Sequence, residues 1–87
     1  MNDYSKIPTY MREGVGLYVE HRVKPGDFLM AVLENNFAET VGRADQTNLN
    51  YLQQWAELLR WEMPHECWGS PEKVQAWLGE RGINYGN

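Results

Sequence analysis

The chain has a single cysteine, and this sets the first limits on what it does. One cysteine excludes an internal disulfide and leaves no cysteine-rich framework for structural zinc. Apolar runs of about 18 residues, which a membrane helix needs, are also missing. The first eight residues carry an acid and no apolar stretch, so we expect no secretory signal. These absences favour a cytoplasmic protein with no membrane partner, no metal and no cofactor.

Positive charge is scarce as well. Lys and Arg number 8 against 12 Asp and Glu, which gives a formal net charge of −4. Residues 1–26 hold a small basic excess, and residues 27–87 hold the excess of acid. The chain therefore lacks the broad basic face that releases counterions from DNA or RNA, and the balance argues against nucleic acid as a partner.

Aromatic residues, in contrast, are abundant. Four Trp, five Tyr and two Phe occur in 87 residues. A domain of this size buries only about 60–65% of the surface that its unfolded chain exposes. We therefore expect some rings to line a pocket or to contact another chain, and the second option predicts a homo-oligomer.

The apolar spacing predicts one all-α domain over residues 1–87, a small compact bundle of four to five helices. A flexible arm (1–7) precedes a helix that starts near Pro8, with Thr9 as a possible cap, and runs to about Arg22; a tail (83–87) ends the chain. One long central helix is predicted from about Gln46 to Met63, with Asp45 as its N-cap and Pro64 at its end. Ser70 is the predicted N-cap of the last helix, and Gly82 with Ile83 its Schellman stop.

Catalytic chemistry finds little support. His65 and Cys67 are two residues apart, but no third group is placed to orient them, and a lone Cys beside a Trp is typically a small buried hydrophobe. The sequence therefore predicts a protein that is not an enzyme.

Six residues are candidates for ligand binding. Tyr10 and Trp68 offer flat rings for stacking, Arg12, Lys24 and Arg43 offer charge for phosphate, and Asn48 offers a hydrogen-bonding amide. Each also has a purely structural interpretation. Tyr10, Arg12 and Lys24 would belong to a solvated helix face, and Arg43 would pair with a neighbouring acid beside a capped turn. Asn48 would face water, and Trp68 would seal the core. Asp45 argues against an anion at the start of the long helix, since its carboxylate already satisfies the free amides there. Gly14, one turn after Tyr10, either admits a close backbone or only weakens its helix.

Four segments carry a resemblance. They are Tyr10–His21 (YMREGVGLYVEH), Pro25–Asn35 (PGDFLMAVLEN), Gly42–Asn48 (GRADQTN) and Cys67–Lys73 (CWGSPEK). Over about residues 8–80 the chain resembles a group of short phage and prophage proteins of unassigned function. The resemblance implies a viral protein made in the bacterial host cytoplasm, with an accessory role. Small phage proteins of this kind often counter host defences, so we expect a counter-defence role. It brings no site residues with it.

Two hypotheses follow. The first is an anti-defence protein that binds and sequesters a small nucleotide-type signal, as a homo-oligomer. The second is an acidic inhibitor or adaptor that docks on a host defence enzyme or regulator through groups such as Glu57, Glu62, Glu66 and Glu72.

Overall fold

The computed structural model describes residues 3–79, and every regular element in that range is helical. The six α-helices are Thr9–His21 (α1), Asp27–Leu33 (α2), Phe37–Arg43 (α3), Gln46–Asn50 (α4), Leu52–Glu62 (α5) and Pro71–Gly79 (α6), and a 3-10 turn covers His65–Cys67. The all-α prediction is confirmed, although the helices number six over this range rather than four to five. The predicted stop at Gly82 and Ile83 and the tail at 83–87 lie outside the described residues.

Short polar side chains begin three of these helices. The carboxylate of Asp45 accepts the backbone N–H of Asn48, and the Asn36 side chain accepts that of Glu39. The Ser70 hydroxyl accepts the backbone N–H of Lys73 at 3.1 Å. Each bond satisfies an amide that the first helical turn leaves without an intrahelical acceptor. The predicted caps at Asp45 and Ser70 are therefore confirmed.

The predicted long central helix is interrupted at Tyr51. This residue has φ −109° and ψ 17°, and its N–H bonds to Asn48 at 3.1 Å, three residues back instead of four. The Asn48 side chain is buried just before the break, where it accepts the indole N–H of Trp55 at 3.0 Å. A locally tightened turn thus divides the expected helix into α4 and α5.

The first residues that the structure describes pack against the bundle. Ile7 is completely buried in the core. Arg12 donates to the carbonyl oxygens of Ile7 and Ser5, both at 3.0 Å, and Lys6 pairs with Glu57 on α5 at 3.3 Å. The arm therefore joins α1 to α5.

One core connects the elements. It is formed by apolar side chains from the arm, α1, α2, α5, the 3-10 turn and α6: Ile7, Val15, Tyr18, Leu29, Val32, Leu33, Trp55, Leu58, Leu59, Met63, Cys67 and Val74. Helices α3 and α4 contribute little to this core, so the junction between them is free to line a surface pocket. Within residues 3–79 no helix has the length and apolar character to cross a membrane.

Candidate functional site

A pocket of about 400 Å³ opens between α1, the start of α2 and the α3–α4 junction. We call it the Tyr10 pocket. Its lining combines rings, apolar side chains, two carboxylates, one guanidinium and one amide: Tyr10, Met11, Gly14, Pro25, Gly26, Asp27, Phe28, Leu29, Arg43, Asp45 and Asn48. This volume lies within the range of small-molecule sites, about 300–1,000 Å³.

The Tyr10 ring is 59% exposed, yet its hydroxyl is fixed. It donates a 2.5 Å hydrogen bond to Oδ2 of Asp45, while Oδ1 of the same carboxylate caps α4 by accepting the N–H of Asn48 at 2.8 Å. The bond from Tyr10, followed by that from Asn48, lowers the pKa of Asp45, and the bond to Asp45 raises the pKa of Tyr10. One ionised carboxylate therefore holds both the helix start and the aromatic ring.

Asn48 connects this ring to the core. Its side-chain Nδ2 donates to the Tyr10 hydroxyl at 3.4 Å, and its Oδ1 accepts the Trp55 indole N–H at 3.0 Å. Asn48 is only 3% exposed. Its polar atoms are thus engaged within the protein, and its main effect is to orient Tyr10.

Arg43 lines the pocket, and its guanidinium is already paired with two carboxylates. Its Nε donates to Glu39 at 2.8 Å, and its Nη1 lies 3.6 Å from Oδ2 of Asp27. Lys24 does not line the Tyr10 pocket. It borders a neighbouring hollow of about 290 Å³ that shares Asp27 and Arg43 with that pocket.

The structure places the other two candidates apart from the pocket. Arg12 donates its hydrogen bonds to backbone carbonyl oxygens of the arm, as described above. Trp68 is half-buried and packs against the core, and its buried indole nitrogen has no hydrogen-bond partner within residues 3–79. Of the six candidates, Tyr10, Arg43 and Asn48 come together, Lys24 lies adjacent, and Arg12 and Trp68 are elsewhere.

Sequence reasoning missed one wall of the pocket, which the segment from Pro25 to Phe28 supplies. The Pro25-Gly26 turn followed by Asp27 was a local sign of a tight helix start, but nothing local indicated that it faces Tyr10. Gly14 lies on the opposite wall, and a Cβ added there would meet only a Leu29 methyl, at 3.9 Å. No backbone therefore packs closely against Gly14, and at this position the α1 wall of the pocket carries no side chain.

The thiol of Cys67 lies in the packed interior of the protein. Cys67 is completely buried, and desolvation raises its pKa to about 11. Its carbonyl oxygen accepts the Tyr18 hydroxyl at 2.6 Å. In the part of the chain that the structure describes, no three His, Cys, Asp or Glu side chains are grouped to hold a metal ion.

Among residues 3–79, three more large aromatics are exposed away from the pocket lining, and Tyr51 is the least exposed of them, at 37%. Phe37 at the start of α3 is 76% exposed, and Trp61 near the end of α5 is 69% exposed. Phe37 stands at the rim of a shallow apolar groove of about 170 Å³ that Trp55, Leu52 and Leu59 help to line. Several aromatic side chains therefore remain exposed to solvent after the chain has folded.

Comparison with known proteins assigns no relative. No protein-family model matches the chain, and no curated protein or solved structure matches it. The functional argument accordingly depends on the geometry of the Tyr10 pocket.

Proposed function

We propose that this protein is a non-enzymatic binder that sequesters a small nucleotide-type molecule in the Tyr10 pocket. The observation that carries the proposal is an exposed aromatic ring, oriented by hydrogen bonds to Asp45 and Asn48, at a pocket large enough for a nucleoside. A ring that is already oriented loses little conformational freedom when a ligand stacks on it, so more of the stacking energy appears as affinity.

The free energy that stacking supplies is adequate for binding a small ligand. Stacking of one base on an aromatic side chain contributes about 1–3 kcal/mol. The apolar wall of Met11, Phe28 and Leu29 adds burial of the ligand ring, and Asp27 supplies a polar group for orientation. Pockets that hold cofactor-sized ligands combine these same two features.

The biological setting of the proposal comes from the resemblance to short phage and prophage proteins. In that setting the ligand is a signal molecule of a bacterial defence system, and sequestration in the host cytoplasm counteracts the defence. Assembly into a homo-oligomer is part of the proposal, and the exposed rings of Phe37 and Trp61 support it because they offer apolar contact area outside the pocket.

The direct test is calorimetry against a panel of cyclic dinucleotides, ADP-ribose-derived signals and plain nucleotides. We expect heat with at least one member and loss of at least about tenfold in affinity for Tyr10→Ala, since the stacking surface is removed. Phe37→Ala is the control because it removes an exposed ring that lies outside the pocket lining. No heat with any member, or equal losses in the two variants, would contradict the proposal.

A second pair of variants separates binding from stability. Gly14→Ala adds a methyl group to the bare wall of the pocket, whereas Gly16→Ala adds one against the Tyr4 ring, at 3.6 Å. Both changes improve helix propensity by about 1 kcal/mol. We therefore expect both variants to unfold at higher denaturant, but only Gly14→Ala to bind ligand more weakly. Equal affinity in the two variants would remove Gly14 from the site.

A protein-docking role is the second candidate, and the Phe37 rim with its apolar groove favours it. Such a protein would bind a host defence enzyme through Phe37 and Trp61 and through its acidic surface. Mixing with a purified defence enzyme discriminates the two roles, because inhibition that Phe37→Ala abolishes and Tyr10→Ala preserves supports docking.

A further inference from the structure

The charges around the Tyr10 pocket restrict which part of a nucleotide it can hold. Two carboxylates, Asp27 and Asp45, line the pocket against one guanidinium, Arg43. That guanidinium is already bound by Asp27 and by Glu39 outside the pocket. A phosphate placed here would meet a net negative wall and would have to displace a carboxylate from Arg43.

The same wall is well suited to hydrogen-bond donors. Asp45 has each oxygen engaged once, by Tyr10 and by the N–H of Asn48. Asp27 has an 87% exposed side chain, and only its Oδ2 is near Arg43. Oδ1 of Asp27 is thus an accessible charged acceptor on a residue that lines the pocket, and an ionised acceptor forms stronger bonds than a neutral one.

We infer that the pocket recognises a base through adjacent ring N–H and amino donors, as on guanine, which bind the Asp27 carboxylate while the base stacks on Tyr10. The phosphates then remain in solvent, on the side of Lys24. This inference rests on the proposed function and specifies which chemical group of the ligand the site selects.

Guanosine, GMP and GDP form the first arm of the test, measured by calorimetry with the full chain. Affinities within about threefold across the three support the inference, because phosphates in solvent add little to binding. A gain of tenfold or more per phosphate overturns it. If none of these three compounds binds, and no other nucleoside or nucleotide in the wider panel binds either, the proposed function itself is contradicted.

Inosine, which lacks the amino group of guanosine, forms the second arm together with Asp27→Asn. We expect inosine to bind the wild type about tenfold more weakly than guanosine, and Asp27→Asn to bind guanosine about tenfold more weakly than the wild type does. Glu72→Gln is the matched control, since it removes one acidic charge from α6. If phosphate faced Asp27, Asp27→Asn would instead bind GDP more tightly, and that result overturns the inference.

Discussion

Asp45 has more than one role at the level of single residues. Its carboxylate caps α4 and fixes the Tyr10 hydroxyl, and both bonds favour the ionised form. An N-cap alone does not require a charge, because Asn caps a helix about as well as Asp. The charge is therefore needed mainly for the short bond from Tyr10, and this separates the two roles by experiment.

The pH dependence of stability follows from the lowered pKa of Asp45. A carboxyl with a lower pKa in the folded state stabilises the fold above its ordinary value of 3.8 and loses that contribution as the pH falls through the folded-state pKa. We expect urea unfolding to show a steeper loss of free energy below about pH 4 in the wild type than in Asp45→Asn. At pH 7 the variant keeps its cap. Parallel pH profiles for the two proteins would show that the carboxylate has no special role.

At the level of elements, caps were the most predictable features. Ser70 caps the start of α6, since its hydroxyl accepts the N–H of Lys73. The Ser-Pro-Glu sequence predicts this cap. We expect Ser70→Ala to lower the free energy of unfolding by about 1 kcal/mol, measured by urea denaturation, and Ser70→Asp to restore it. A loss in both variants would mean that the hydroxyl matters for a reason other than capping.

The break at Tyr51 shows where local patterns fail. The apolar spacing from Leu49 through Leu59 continues across the break, so periodicity indicates one helix. Just before the break, the buried Asn48 side chain bonds to Trp55, seven residues on, and to Tyr10, 38 residues back. Such a contact depends on residues 38 positions apart in the chain and leaves no mark on spacing.

The candidate site was predictable only in part, for the same reason. An aromatic, an arginine and an amide on separate helices were recognisable as binding chemistry, but their meeting depended on how α1 packs beside the α3–α4 junction. The burial of Ile7 could not be predicted, because a short segment before a Pro gives no periodic signal, yet its side chain is completely buried. Trp68 packs on the core, which is the structural interpretation that its sequence position offered beside stacking.

At the level of the whole molecule, the number of rings exceeds what the core takes in. Trp55 is buried, whereas Trp61 is 69% exposed. We expect acrylamide to quench a substantial part of the tryptophan fluorescence of the dilute protein, and Trp61→Phe to remove most of that accessible part. Equal accessibility in the wild type and the variant would show that Trp61 is shielded.

Concentration dependence extends this measurement to the oligomer. If copies assemble through the exposed rings, quenching of Trp61 decreases as the protein concentration rises, and light scattering reports the matching increase in mass. A constant mass equal to one chain at all concentrations would exclude the homo-oligomer from the proposed function and leave the Tyr10 pocket to act within a single subunit.

The most direct measurement of the central claim is an NMR titration of the isotope-labelled chain with a nucleotide that calorimetry identifies as a ligand. Our account predicts that the largest amide and side-chain shifts occur around the pocket, at Tyr10, Gly14, Gly26, Asp27 and Asn48. Shifts centred instead on Phe37 or Trp61, with the Tyr10 pocket unchanged, would contradict it.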